Sequence, residues 1–103
     1  MSMETDRELV KIMDDLLCRK WTLRLLVVLN ENPHIRFNQI KEKLDGISGR
    51  TLSKRLKKLE KAGIVERKSY DEIPPKVEYF LSEKGEELID NFEGVMRWGK
   101  QWL

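Results

Sequence analysis

The chain is poor in the residues from which metal and redox sites are built. Cys18 is its only cysteine and His34 its only histidine. One thiol excludes an intramolecular disulfide and a zinc site made of cysteine pairs. His34 stands in no HxxxH pattern and has no cysteine beside it in sequence, so no His/Cys metal site is expected. Gly-rich phosphate loops, nucleophile elbows and metal-ligand clusters are missing, and the carboxylates lie scattered among lysines at helical spacing. No catalytic constellation can be assembled, so the chain reads as a non-enzyme without a cofactor. Long apolar runs are missing as well. The stretch Leu23 to Leu29 is too short to cross a membrane and is broken by Arg24. The opening Met-Ser-Met-Glu-Thr-Asp-Arg is polar and acidic, without the apolar core of a secretion signal. The expected location is the cytoplasm, with no membrane partner.

What is present is charge of both signs. Of 103 residues, 37% are charged and 40% apolar, enough for one core and one domain spanning residues 1–103. The net charge is only +2, but it is unevenly placed. Between Ser48 and Gly63 stand six bases and one acid, a local +5 that leaves −3 for everything else. Wound at about 100° per residue, Leu52, Leu56 and Leu59 fall within about 60° of one another. Arg50, Lys54, Lys57, Lys58 and Lys61 occupy an arc of about 100° on the opposite side. A lysine-rich helix face is most often simply solvated. Concentrated cations on one helix also suit a polyanion, and the flanking elements decide between these readings.

Leu9, Ile12, Met13 and Leu16, with Val10 and Leu17, predict a first helix over about Thr5 to Leu17. A second helix begins at Trp21 and stops before Pro33. His34-Ile35-Arg36 reads as an extended link, Phe37 to Leu44 as a two-turn helix and Asp45-Gly46 as a turn. Ser48 is placed to cap the basic helix with Ile47 as a hydrophobic staple, and Gly63 to close it. The period then shifts to two. Ile64–Tyr70 and Val77–Leu81 read as strands of a hairpin, with Asp71 to Lys76 and its two prolines as the loop. A last helix starts near Ser82 and runs to about Leu103, with Gly85, Gly94 and Gly99 expected to weaken it. A short helix and turn before a basic helix, followed at once by a hairpin, is a winged helix-turn-helix. The fold class is mainly α with a small β-hairpin: helix-turn-helix at about 37–62, wing at about 64–81, C-terminal helix at about 83–103.

The order of motifs resembles the HxlR-type winged-helix transcriptional regulators, a branch close to MarR-like proteins. The residues that carry the likeness include Lys20-Trp21-Thr22-Leu23, Arg36-Phe37-Asn38-Gln39-Ile40, Gly46-Ile47-Ser48 and the run from Leu52 to Glu60. They continue through Gly63-Ile64-Val65-Glu66-Arg67, Ile73-Pro74-Pro75-Lys76-Val77-Glu78-Tyr79, Leu81 to Gly85 and Trp98-Gly99. The resemblance spans about Leu9 to Gly99. It implies a homodimer that regulates transcription by binding a pseudo-palindromic operator in double-stranded DNA. Many relatives carry a sensing cysteine early in helix 1. That position is held here by about Glu8, and Cys18 stands where relatives usually have glycine. Cys18 is expected to pack as a small hydrophobe and to be dispensable for DNA binding.

Arg50, Thr51 and Lys54 are expected nearest the base edges, since the first turns of a recognition helix reach deepest. Ser48, Ser53, Lys57 and Lys58 are assigned to the same interface, the last three toward phosphates. Arg55 borders the apolar stripe, where packing or an internal ion pair competes with DNA contact. Arg36, Asn38 and Gln39 at the start of the short helix suit a phosphate, and Lys68 and Lys76 flank the wing. Leu9, Ile12, Met13, Leu16, Phe92, Met96, Trp98 and Trp102 supply more apolar surface than a small core covers, and so a dimer interface. The rival readings are a winged-helix module for protein–protein contact and an architectural binder without sequence preference. Nothing in the sequence identifies a small-molecule effector.

Overall fold

The computed structural model describes residues 6–103. Thr5, the expected first residue of helix 1, lies outside the described residues. Five helices and one antiparallel hairpin follow in the order α1 (Arg7–Leu17), α2 (Thr22–Glu31), α3 (Phe37–Lys43), α4 (Gly49–Lys61), β1 (Val65–Tyr70), β2 (Lys76–Leu81) and α5 (Glu83–Trp102). The strand pairing runs from Val65 opposite Leu81 to Tyr70 opposite Lys76. Lys76 is therefore a ladder residue, where the sequence placed it in the loop. Ile35 exchanges both backbone hydrogen bonds with Tyr79, at 3.1 and 2.8 Å, so the link after α2 borders the hairpin as a one-residue third strand.

The core is aliphatic. Leu25, Leu26 and Leu29 of α2 meet Ile40 and Leu44, the Leu52–Leu56–Leu59 stripe of α4, and Ile64, Val65 and Leu81 at the hairpin base. Each fully buried leucine contributes about 1.5–3 kcal/mol, and Leu56→Ala would cost about 2–5 kcal/mol through the cavity it leaves. The stripe thus fixes which face of α4 turns outward.

The ends of α4 are set locally. The Ser48 hydroxyl accepts from the Thr51 N–H at 3.0 Å, satisfying one of the donors a helix start leaves open. Gly63 stops the helix at φ 78°, the left-handed position glycine adopts without strain. α5 is then bolted to that stop. The Ser82 side chain accepts from Gly85 N–H and reaches the carbonyls of Gly63 and Ile64, while Lys84 Nζ donates to the Ala62 carbonyl at 2.6 Å. Gly85 lies so close to this junction that a β-carbon there would stand 2.3 Å from the Ile64 carbonyl oxygen. The sequence reading of Gly85 as a mere weak point in the helix is corrected: the backbone approach requires it.

α2 begins one residue later than expected. Trp21 is its N-cap at φ 81°, a left-handed conformation that a bulky side chain rarely adopts. The fold measures 52 Å along its longest axis against 29 and 24 Å across.

Candidate nucleic-acid interface

With the leucine stripe buried, Arg50, Lys54, Lys57 and Lys61 stand exposed on the outer side of α4, and none has a salt-bridge partner among the described residues. Thr51 and Ser53 are half-buried beside them. Ser48 remains at the surface, but its hydroxyl is occupied in the cap and bonds the Thr51 hydroxyl at 2.9 Å.

Two of the six bases of α4 are turned inward to the chain itself. Lys58 Nζ lies 2.6 Å from Asp15 Oδ2 on α1, and Arg19 holds the other carboxylate oxygen. The Lys58 hydrogen bond first, and the Arg19 bond second, pull the Asp15 carboxyl from 3.8 down to about 2. Lys58, expected at a phosphate, is thus engaged in an internal ion pair. Arg55 Nε donates to the Lys20 carbonyl at 3.1 Å, the packing alternative for that residue. Together these bonds tie the end of α1 and the α1–α2 corner to α4.

The other expected positions divide in the same way. Arg36 and Asn38 are exposed at the start of α3. Gln39 caps the helix: its Oε1 accepts the Arg36 N–H at 3.0 Å. With seven residues and its first donor occupied, α3 offers a weaker anion seat than its sequence suggested, leaving the side chains of Arg36 and Asn38 as the available groups.

On the wing, the ammonium groups of Lys68 and Lys76 stand 5.0 and 4.8 Å from the Tyr70 ring centre. Beneath them lies a brace that sequence reasoning missed. Glu78 is buried and accepts the Tyr70 hydroxyl at 2.7 Å, with Lys76 Nζ at 3.2 Å and His34 Nδ1 at 3.4 Å. The Tyr70 bond, aided by Lys76 and His34, holds the Glu78 carboxyl below the usual carboxylate range, and the same bond raises the Tyr70 phenol. His34 also stacks on Phe80, ring centres 4.6 Å apart. Tyr79, on the opposite face, packs against the core. Period-two alternation marks Glu78 as one face of a strand but says nothing of the partners that arrive from α2's end.

A separate surface is apolar. α1 buries none of its residues, leaving Leu9, Ile12 and Met13 exposed, and Met96, Trp98 and Trp102 on α5 are each more than half exposed. Leu16 and Phe92, expected with them, are only partly open, Leu16 because it packs on its own core. Leu23 and Val27 of α2, which the sequence did not single out, border a groove with Phe92 and Met96. Cys18, expected to be packed, is exposed, because α1 ends at Leu17 and the chain turns there. No group of three or more metal-ligating side chains occurs among the described residues, and none of their helices is long and apolar enough to cross a membrane.

A buried leucine stripe beneath a cationic helix, a turn ahead of it and a hairpin behind it define a winged helix-turn-helix, a DNA-binding fold. The chain belongs to the HxlR-like helix-turn-helix family, which it matches over residues 16–103. It is 41% identical over 80 residues to the uncharacterized HTH-type transcriptional regulator BH0655 of Halalkalibacterium halodurans, covering 78% of this chain and 71% of that one. It is 40% identical over 87 residues to the transcriptional regulator YodB of Bacillus subtilis, covering 84% and 77%. The reduced form of YodB superposes with a TM-score of 0.81 at 34% identity, covering 99% and 94% of the two chains. A chain assigned to the MarR family, from Enterococcus faecalis V583, superposes with a TM-score of 0.84 at 34% identity, covering 98% and 92%. These relatives are transcriptional regulators, not enzymes, and this protein is a transcriptional regulator with a helix-turn-helix DNA-binding fold.

Proposed function

We propose that the protein binds a pseudo-palindromic operator as a homodimer, laying one α4 into the major groove at each half-site. The observation that carries this reading is the row of exposed cations, Arg50, Lys54, Lys57 and Lys61, opposite the buried stripe and without salt-bridge partners among the described residues. The major groove, about 12 Å wide, admits one helix. Arg50, Thr51 and Lys54 on its first turns reach base edges, with Arg50 bidentate to guanine. Lys57, Ser53 and the solvent-facing start of α3 at Arg36 and Asn38 contact phosphates. Ser48 and Gln39 serve the interface by fixing helix starts. Lys68 and Lys76 reach the neighbouring backbone or minor groove from the wing. Lys58 contributes mainly by holding α4 to α1.

Dimerisation is supported by the apolar residues left open on α1 and α5, from Leu9, Ile12 and Met13 to Met96, Trp98 and Trp102. Such a dimer sets the half-sites about 34–36 Å apart, one turn of the duplex. Residues 1–103 act as one domain in this reading, in the cytoplasm, and Cys18 has no part in the DNA contact.

Selection of binding sites from random duplexes by the purified protein tests the proposal. Enrichment of one inverted repeat is the expected result. Binding without enrichment would favour an architectural binder, and no binding at all a protein-interaction module.

A further inference from the structure

The run Lys20-Trp21-Thr22-Leu23 has no role in the helix-turn-helix or the wing. It forms the corner between α1 and α2, where Trp21 is held at φ 81°. A strained backbone at a large residue persists only where its surroundings enforce it. The indole is half-buried against the core and reaches toward the turn ahead of α4, where a β-carbon added at Gly46 would stand 3.7 Å from its ring. The same ring carries two cations: the Arg24 guanidinium 4.2 Å and the Lys20 ammonium 5.5 Å from its centre. Both residues are exposed, and neither forms a salt bridge among the described residues. The Lys20 carbonyl is bonded to Arg55 in the middle of α4. The corner is therefore tied to the middle of α4 and lies beside the turn before its start.

We propose that Lys20 and Arg24, carried on Trp21, form a phosphate shelf that grips the DNA backbone beside the leading end of α4. This deepens the DNA-binding reading above and rests on it. The occupant follows from the chemistry. An aromatic platform positions two cations without neutralising them, as a carboxylate would. The guanidinium offers a phosphodiester two parallel donors and the ammonium a point charge. Such contacts fix register and carry no sequence information.

The test is the double variant Lys20→Gln/Arg24→Gln, measured by fluorescence anisotropy on operator and scrambled duplexes across a salt series. Each lost phosphate contact flattens the log–log salt slope by about 0.9. The slope should flatten by about 2 units per protomer, and affinity should fall about tenfold or more per half-site near 0.15 M salt, by the same factor on both duplexes. The charge-conserving Lys20→Arg/Arg24→Lys variant should bind like the parent. An unchanged slope in the double-Gln variant, a loss confined to the operator, or equal losses in both variants would overturn the shelf while leaving parental DNA binding standing. A parent that shows no salt-dependent binding would overturn the function itself and the shelf with it. If the double-Gln variant melts early, Arg24→Gln alone carries the comparison, with about half the change in slope expected and an unchanged slope counting against the shelf.

Discussion

Gly85 and Gly94 lie on one helix and differ in what a methyl group would meet. At Gly85 it would strike the Ile64 carbonyl, a backbone atom that cannot swing aside; at Gly94 it meets only the far end of Arg97. Gly85→Ala should destabilise the protein by about 1–3 kcal/mol through forced backbone shifts. Gly94→Ala should stabilise it by about 0.5–1 kcal/mol through lower unfolded-state freedom. Urea unfolding curves of the two variants check the opposite signs. Sequence periodicity treats both glycines alike, because the close approach of α5 to the end of α4 is a tertiary fact. Asp15 shows the same limit. Its bond to Lys58 joins residues 43 apart in sequence, and nothing local announces it. Because the Asp15 carboxyl is lowered to about 2, its contribution is present above the ordinary value near 3.8 and is lost as pH falls through 2. Asp15→Asn should therefore melt slightly below the parent at neutral pH, with the gap closing between about pH 4 and 2. The carboxylate is half-exposed, so the gap is small.

At the scale of elements, the signals that were legible are periodic or local. The leucine stripe, the Ser48 cap, the Gly63 stop and the two wing strands each need only a few neighbouring residues to be read, and the structure reproduces them. The Trp21 conformation and the Glu78 brace are set by elements that meet only after folding, and the sequence was silent on them; for Arg55 it offered packing as an alternative but not the Lys20 carbonyl as the partner. The brace has a measurable consequence for the wing. Tyr70→Phe removes the hydroxyl that Glu78 accepts across the hairpin and leaves a buried carboxylate with one donor fewer. Hydrogen exchange should quicken at the amides of β1 and β2 in this variant and stay unchanged in α4. Equal loss of protection in both elements would show that the brace serves the whole fold rather than the wing.

For the whole molecule, the geometry between α4 and the helices proposed to pair two copies matters most. α4 is joined to α5 through Ser82, Lys84 and Gly85, and to α1 through Lys58 and Asp15. Two copies paired through α1 and α5 would hold their α4 helices at one fixed separation, which an operator with matched half-sites requires. Sedimentation equilibrium should give a mass near twice 12.3 kDa. Met96→Glu/Trp98→Glu should halve it by placing charges in the apolar contact. A parent that sediments at 12.3 kDa would leave the exposed face of α5 without its proposed partner.

In the proposed mode of binding, α4 reads sequence near its start and grips phosphate along its length. Binding of the parent and of Arg50→Ala and Lys57→Ala to operator and scrambled duplexes, followed across a salt series, tests it most directly. The parent should show a log–log salt slope of about −5 to −9, for roughly 6–10 phosphate contacts per dimer. Lys57→Ala should weaken both duplexes alike and flatten the slope by about 1 per half-site. Arg50→Ala should cost about 1–3 kcal/mol per half-site on the operator and far less on scrambled DNA. Equal losses on both duplexes for Arg50→Ala would remove it from base reading, and a parent whose binding ignores salt would rule out α4 as a phosphate-gripping helix.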